Sequence, residues 1–269
     1  QIRGDMILPI VDGGVFRDVH IREGECFLLP PNTPHSPQRP NEGSVGLVIE
    51  RERTEKEFDH LRWYCQACGG TVHEEKFHCY DLGAQLGPVC KAYYASEEQR
   101  TCPNCGVVDE RPDIAKGWQP RGEEQPKHVL NYVEGTPQID QTIYPQPFLL
   151  KEWIQTHRSE LVPPLCAKSM SGLQPEFKIS CVGGPATRDD YLVAQSESWF
   201  YQLEGDMELR IVDGPERRSL TISEGQCFLL QAGVPHSPQR QANSIGLVVQ
   251  RDRQTGEVDS CNWYCSKCR

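Results

Sequence analysis

An all-β jelly roll with a few peripheral helices is predicted by three observations. Short β-type runs dominate, turn residues separate them at regular intervals, and one long stretch of the chain is written twice. The runs are KISCVGG at 178–184, WFYQLEGDMELRIVDG at 199–214, RSLTI at 218–222, CFLLQ at 227–231 and IGLVVQR at 245–251. Gly-Gly-Pro, Asp-Gly-Pro, Glu-Gly and Ala-Gly-Val-Pro stand between them, at the spacing of a sandwich or barrel. Helical periodicity is confined to FLLKEWIQTHRSEL at 148–161, ahead of Pro163-Pro164, and to a shorter stretch near 88–99.

The repeat fixes the organisation. QIRGDMILPIVDGG at 1–14 matches QLEGDMELRIVDGP at 202–215, IREGECFLLP at 21–30 matches ISEGQCFLLQ at 222–231, and PHSPQR occurs at 34–39 and 235–240. RWYCQAC at 62–68 answers NWYCSKC at 262–268; the offset is 201 residues up to PHSPQR and 200 after it. Residues 1–108 form a partial copy ending in an extra cysteine knuckle, and 145–269 form the second copy, which stops after its first Cys-x-x-Cys. The stretch 109–144 is rich in Pro, Gly, Gln and Glu and reads as a linker with little packing of its own. Each PHSPQR is expected to be a proline-boxed turn between two strands, FLL at 27–29 and VGLVIE at 45–50 in the first copy. The start at Gln1 and the two truncated copies read as a fragment of a longer tandem protein; an inactive relative is the other reading.

Composition excludes several classes. A formal charge of −10 with no basic cluster argues against nucleic acid as a partner. No apolar run approaches the roughly 18 residues of a membrane span, which argues against a membrane partner. Thirteen cysteines, six of them in Cys-x-x-Cys pairs, suit a metal site better than a disulfide framework and point to a reducing, cytoplasmic location.

Two of those pairs, Cys65/Cys68 and Cys102/Cys105, are separated by 33 residues. Two residues between thiolates let both sulfurs face one ion, and two such knuckles make a closed tetrahedral cage. Iron and zinc both suit four thiolates, and closed coordination implies stability or electron transfer rather than an open catalytic position. Cys265 and Cys268 offer only half such a site. A zinc-ribbon nucleic-acid module is the alternative, disfavoured by the acidic charge.

The order GDM…VDG, EGECFLLP, PHSPQR and GLVIER resembles a cupin, the double-stranded β-helix barrel. PPLCAKSM at 163–170, VGGPATRDDY at 182–191, WFYQLEGDM at 199–207 and WYCQACG at 63–69 narrow the resemblance to the 3-hydroxyanthranilate 3,4-dioxygenase family. YASEEQRTCPNCG at 94–106 extends it to the form with an extra four-cysteine iron site. The resemblance implies one partial and one complete cupin copy. It also implies a ferrous ion in a two-histidine, one-carboxylate triad, and ring opening of 3-hydroxyanthranilate by O2 towards quinolinate and NAD. A homodimer is left open. On this match His35 is the late iron ligand, Arg39 pairs with the substrate carboxylate, and Glu50 contacts the substrate's polar groups and handles protons. The second-copy counterparts are His236, Arg240 and Gln250, and Arg188 matches an arginine near the oxygen site. Read without the family, Arg39 and Arg240 are surface turn residues and Glu50 is a strand-end charge.

The early ligands break the pattern. Where the family has His after the DY of this segment and Glu six positions later, TRDDYLVAQSES carries Leu192 and Ser198. Glu197 is adjacent to Ser198 but faces the other side of a strand. The first copy begins after these positions, so either pairing of the halves leaves a single histidine. The expected consequence is a dioxygenase-type chain without a complete triad, the rival being a non-catalytic cupin pair that holds metal or structure.

Overall fold

The computed structural model describes residues 1–110, 119–131, 146–170 and 176–265. It divides into two units, Gln1–Leu150 and Lys151–Arg269.

The first unit opens with the hairpin β1 (Met6–Asp12) and β2 (Val15–Ile21), paired in unbroken register from Met6↔Ile21 to Asp12↔Val15. Leu8, Ile10, Val19 and Ile21 are buried on it, with Phe27 and Leu29 packed against them. A short β3 (Glu25–Cys26) follows. Next come the hairpin β4 (Asp59–Tyr64) and β5 (Thr71–Phe77), then α1 (Leu82–Ala95) and α2 (Glu97–Arg100). The strand β6 (Phe148–Leu149) returns to pair with β3. The helix expected near 88–99 therefore starts earlier, where Asp81 accepts the Ala84 N–H as its N-cap, and breaks at Ser96, which caps α2.

The second unit begins with α3 (Leu150–His157), two residues later than FLLKEW suggests because Phe148 and Leu149 are taken up by β6. Its strands are β7 (Ala167–Ser169), β8 (Phe177–Gly183), β9 (Tyr191–Val193), β10 (Ser198–Glu204) and β11 (Met207–Asp213). They continue as β12 (Glu216–Ile222), β13 (Cys227–Leu230), β14 (His236–Arg240), β15 (Ile245–Arg251) and β16 (Ser260–Asn262). Two five-stranded antiparallel sheets result, in the orders β13-β10-β15-β8-β7 and β12-β11-β14-β9-β16. Alternate residues of β10 and β11 are buried, and Phe200, Met207, Leu209, Ile211, Ile222 and Leu230 form the core. The predicted all-β jelly roll is the fold of this unit.

PHSPQR in the second unit is not a turn. Residues 236–240 form β14, paired with β11 from Ile211↔His236 to Met207↔Arg240. Its other neighbour, β9, meets it only at His236↔Leu192, which leaves Pro238 the edge-like position that a residue without an N–H requires.

The first unit reproduces this ladder only where partners exist. β1 and β2 repeat the β11–β12 register, and single bridges at Ile10↔His35, Ile7↔Gln38 and Arg3↔Val45 stand where Ile211↔His236, Glu208↔Gln239 and Glu204↔Ile245 pair in the second. Phe27–Leu29 and Gly46–Glu50 are not strands, contrary to expectation. Their counterparts pair with β8 and β10, and among the described residues no strand pairs with either first-unit segment, so the apolar pattern is present without a ladder to join. The described part of the expected linker also packs: Val129 N–H bonds Gly14, Leu130 N–H bonds Gly69, and Phe16 N–H bonds Lys127. Arg121 lies 3.6 Å above the Phe16 ring.

Candidate metal centre and cupin interior

The sulfurs of Cys65, Cys68, Cys102 and Cys105 lie within 4.8 Å of one another. They come from two loops of one design. After β4, Gly69 N–H bonds Cys65 O at 2.9 Å and Cys65 N–H bonds Gly70 O; after α2, Gly106 N–H bonds Cys102 O at 2.9 Å and Cys102 N–H bonds Val107 O. Gly69 and Gly106 both have φ of 74°, a left-handed conformation that suits glycine. Backbone N–H groups of Ala67 and Gly70 donate to the sulfurs of Cys65 and Cys68 at 3.4 Å each.

These donors favour thiolate, as a metal cage requires. Burial opposes ionisation of Cys102, but the N–H groups of Cys105 and Asn104 outweigh it and bring the thiol down to about 7. Cys68 goes the other way, to about 12: its Gly70 donor is overcome by burial and by the neighbouring sulfurs. The donor set fits a single tetrahedral ion, with Cys65 and Cys102 buried and Cys105 exposed. Behind the cage, Trp63 stacks on buried Tyr93 at 4.1 Å, and Tyr93 Oη donates to Asp109 at 2.7 Å. Cys265 is exposed, its carbonyl accepting from Arg217, and Cys268 lies outside the described residues.

In the second unit His236 and Arg240 project to one side of β14, 3% and 7% exposed. His236 Nδ1 donates to the Val234 carbonyl at 3.0 Å, which leaves Nε2 as the nitrogen with a free lone pair. Burial holds this imidazole below its ordinary value, against the pull of the Val234 carbonyl; the charge of Arg188 adds to the depression. Arg188 itself is paired with Asp190, Nε to Oδ1 at 3.1 Å. Leu192 is the direct cross-strand partner of His236. Ser198 is buried and accepts from Gln250 at 2.6 Å, while Glu197 is exposed, as strand alternation requires. A ferrous ion does not fit here, because His236 pairs with a leucine and, among the described residues, three or more metal-donor side chains converge only in the cysteine cage.

Arg240 donates to Gln202 Oε1 at 3.0 Å. Among the described residues no carboxylate lies in ion-pair reach of it. Burial drives its pKa down to about 10.

The first-unit counterparts adopt the same local form but on the surface. His35 Nδ1 donates to Thr33 O at 2.9 Å, matching His236, yet His35, Arg39 and Glu50 are exposed. Glu50 lies 3.5 Å from Arg53. Among the described residues the cysteine cage is the only cluster of three or more metal-donor side chains, so iron does not fit around His35 either. The sequence reading missed Gln202 as the partner of Arg240, and Gln1 as its counterpart beside Arg39. It also missed a clamp present in both units. Arg51–Glu57 with Arg53–Asp59 recurs as Arg251–Glu257 with Arg253–Asp259, and the shared spacing of RERTEKEFD and RDRQTGEVD was the available signal.

Two antiparallel sheets around an interior histidine and arginine define a cupin-type jelly roll. Residues 1–94 and 143–269 match the model of the 3-hydroxyanthranilic acid dioxygenase family, and the chain belongs to that family. A 3-hydroxyanthranilate 3,4-dioxygenase of Xenopus laevis is 34% identical over 247 residues, 92% of this chain and 77% of that protein. The Ruegeria pomeroyi enzyme of the same name is 49% identical over 118 residues, 44% of this chain and 66% of that protein. A Jannaschia enzyme of that name is 52% identical over 118 residues, again 66% of its length, so the chain spans just under two thirds of these two relatives. No helix among the described residues is long and apolar enough to cross a membrane.

Proposed function

We propose that these residues serve 3-hydroxyanthranilate 3,4-dioxygenation, the opening of a small aromatic ring by O2 in the cytoplasm towards quinolinate and NAD. The observation that carries this reading is the pair His236 and Arg240, buried on one face of β14, with His35 and Arg39 recurring at the same spacing on the surface of the first unit. Arg39 presents a planar two-pronged cation to the substrate carboxylate, a task that Arg240 matches in the second unit. Glu50 takes the substrate's polar groups and moves their protons; its counterpart Gln250 cannot. Fe(II) would supply O2 activation in a complete triad. The described residues do not make one around either His35 or His236. The cysteine cage would hold Fe or Zn as a closed centre, stabilising the knuckles or carrying electrons.

The test rebuilds the site where the interior is intact. In the Leu192→His/Ser198→Glu/Gln250→Glu chain, supplied with Fe(II), oxygen uptake should appear with 3-hydroxyanthranilate and be absent from the unaltered chain. Turnover by the unaltered chain would remove the argument from Leu192 and Ser198. A rebuilt chain that holds Fe(II) yet ignores 3-hydroxyanthranilate would remove the substrate assignment.

A further inference from the structure

We propose that the interior of the second unit binds a small carboxylate with an apolar body, and does so without a metal. The two sheets face each other through β14 and β10: the ring centroids of His236 and Phe200 are 6.1 Å apart, and Arg240 Nη1 reaches Gln202 Oε1 at 3.0 Å. Register carries that inner face across the second sheet, with Phe200↔Val248 and then Val248↔Ser180. Part of the interior is filled by the core of Phe200, Met207, Leu209 and Ile211. The part under β15 and β8 is not. There Val248, Gln250, Ser180 and Val182 are only half-buried, whereas Leu247, Val249 and Cys181 on the outer face are 8%, 7% and 0% exposed. A sheet more accessible on its inner face than on its outer one keeps open space between the layers, where a ligand can sit.

Arg240 decides the ligand's charge. A Cβ on Gly246 would meet its Nη1 at 2.9 Å and its Nη2 at 3.2 Å, so the guanidinium lies against the inner face of β15, where glycine leaves it room. Gln202 is its hydrogen-bond partner among the described residues, and Gln202 Nε2 donates to Glu204 O at 3.0 Å, which turns the amide oxygen towards the cation. One neutral acceptor leaves most of the five guanidinium donors, and the whole of the charge, unmet. A carboxylate meets both, through two parallel charge-assisted bonds.

The remaining inner-face residues decide the ligand's body. Leu192, paired with His236, has no donor atom, and Val248 packs against the core, so the ligand is selected by charge and apolar shape rather than by chelation. Gln250 is neutral and already donates through Nε2 to Ser198 Oγ at 2.6 Å. The site rests on the carboxylate role given to Arg240 in the proposed function, and it parts from that function in needing neither iron nor turnover. An occupant supplies the counter-charge that the unit lacks, so occupancy raises the stability of the second unit.

The experiment is calorimetric titration of the full chain with benzoate, without added iron, together with hydrogen exchange. Benzoate should bind and slow exchange in β14 and β15. Benzamide, of the same shape without the charge, should bind at least about tenfold more weakly. Two variants separate the guanidinium from the fold: Arg240→Met removes the cation, and Gln202→Glu gives it an internal counter-charge at the atom it already bonds. Both should abolish benzoate binding while keeping the ligand-free exchange protection of β10–β15. Absence of benzoate binding overturns the proposal, as does equal binding of benzamide or binding that survives Gln202→Glu. Protection at 34–50 in place of 236–250 also overturns it, and so does binding that appears only when Fe(II) is added. None of these readouts involves oxygen uptake, so a negative result removes the second-unit site and leaves the rebuilt-chain test of the reaction standing.

Discussion

Replacing Arg240 with Met should stabilise the second unit, because the cation is buried with no carboxylate in ion-pair reach among the described residues. Arg240 is 7% exposed, and burial lowers its pKa to about 10. At 1.36 kcal/mol for each pKa unit, that depression corresponds to a folding penalty of about 3 kcal/mol below pH 10. Methionine keeps much of the volume and removes the penalty, but it orphans Gln202 Oε1, a loss of about 1–2 kcal/mol. The net expectation is a gain of about 1–2 kcal/mol, or roughly 4–8 °C in Tm for a unit of this size.

The sign has a pH signature. The folded pKa lies below the unfolded one, so the unfolded chain binds more protons as pH rises through 10. The penalty then fades, and the advantage of Met should shrink with it. Urea unfolding read through exchange protection of β14 and β15 amides reports on this unit alone. An Arg240→Met chain less stable by more than about 1 kcal/mol would refute the reasoning, as would an advantage that persists unchanged above pH 11.

Gly69→Ala should be more disruptive than Gly106→Ala. Both positions have φ of 74°, costing alanine about 1–2 kcal/mol, but a Cβ at 69 would lie 2.2 Å from His128 O whereas one at 106 meets nothing within 4 Å. Thermal unfolding with exchange at Val129 and Leu130 separates them. Changing Cys102 to Ser should abolish the single bound ion, read by metal analysis of the purified chain, while leaving exchange in β10–β15 unaltered. Arg51 and the Thr54 N–H hold Glu57 at about 2, and Arg251 and the Gln254 N–H hold Glu257 at about 2. Their clamps are intact above the usual carboxylate value near 4.5 and should release as pH falls from there through 2, seen by carboxyl NMR titration. Titration of either glutamate near 4.5 would show its clamp open in solution.

The sequence was most legible where each element carried its partners with it. In the second unit KISCVGG, CFLLQ and IGLVVQR are β8, β13 and β15 to within a residue or two, because alternation and turn residues agree with the ladders that form. The same patterns at 27–29 and 45–50 gave no strands, since a hydrophobic pattern reports which face wants burial, not whether a neighbour exists. α1 was partly hidden because Gly83, Gly87 and Pro88 weaken its signal, and its Asp81 cap declares it only in three dimensions. Spacing alone placed the cysteine cage, as two residues between thiolates dictate its geometry. The packing of 119–131 was unreadable: it is held by backbone bonds and one guanidinium–ring contact, neither of which leaves a periodicity.

That segment has a consequence for how the first unit responds to its ion. One end of the 127–130 run is fastened to the hairpin at Gly14 and Phe16, and the other to Gly69 inside a knuckle. A loop that tightens around an ion therefore pulls on a tether rather than closing in isolation. Occupancy of the cage becomes a mechanical input to the β1–β2 turn, and amides far from any sulfur should register whether the ion is present.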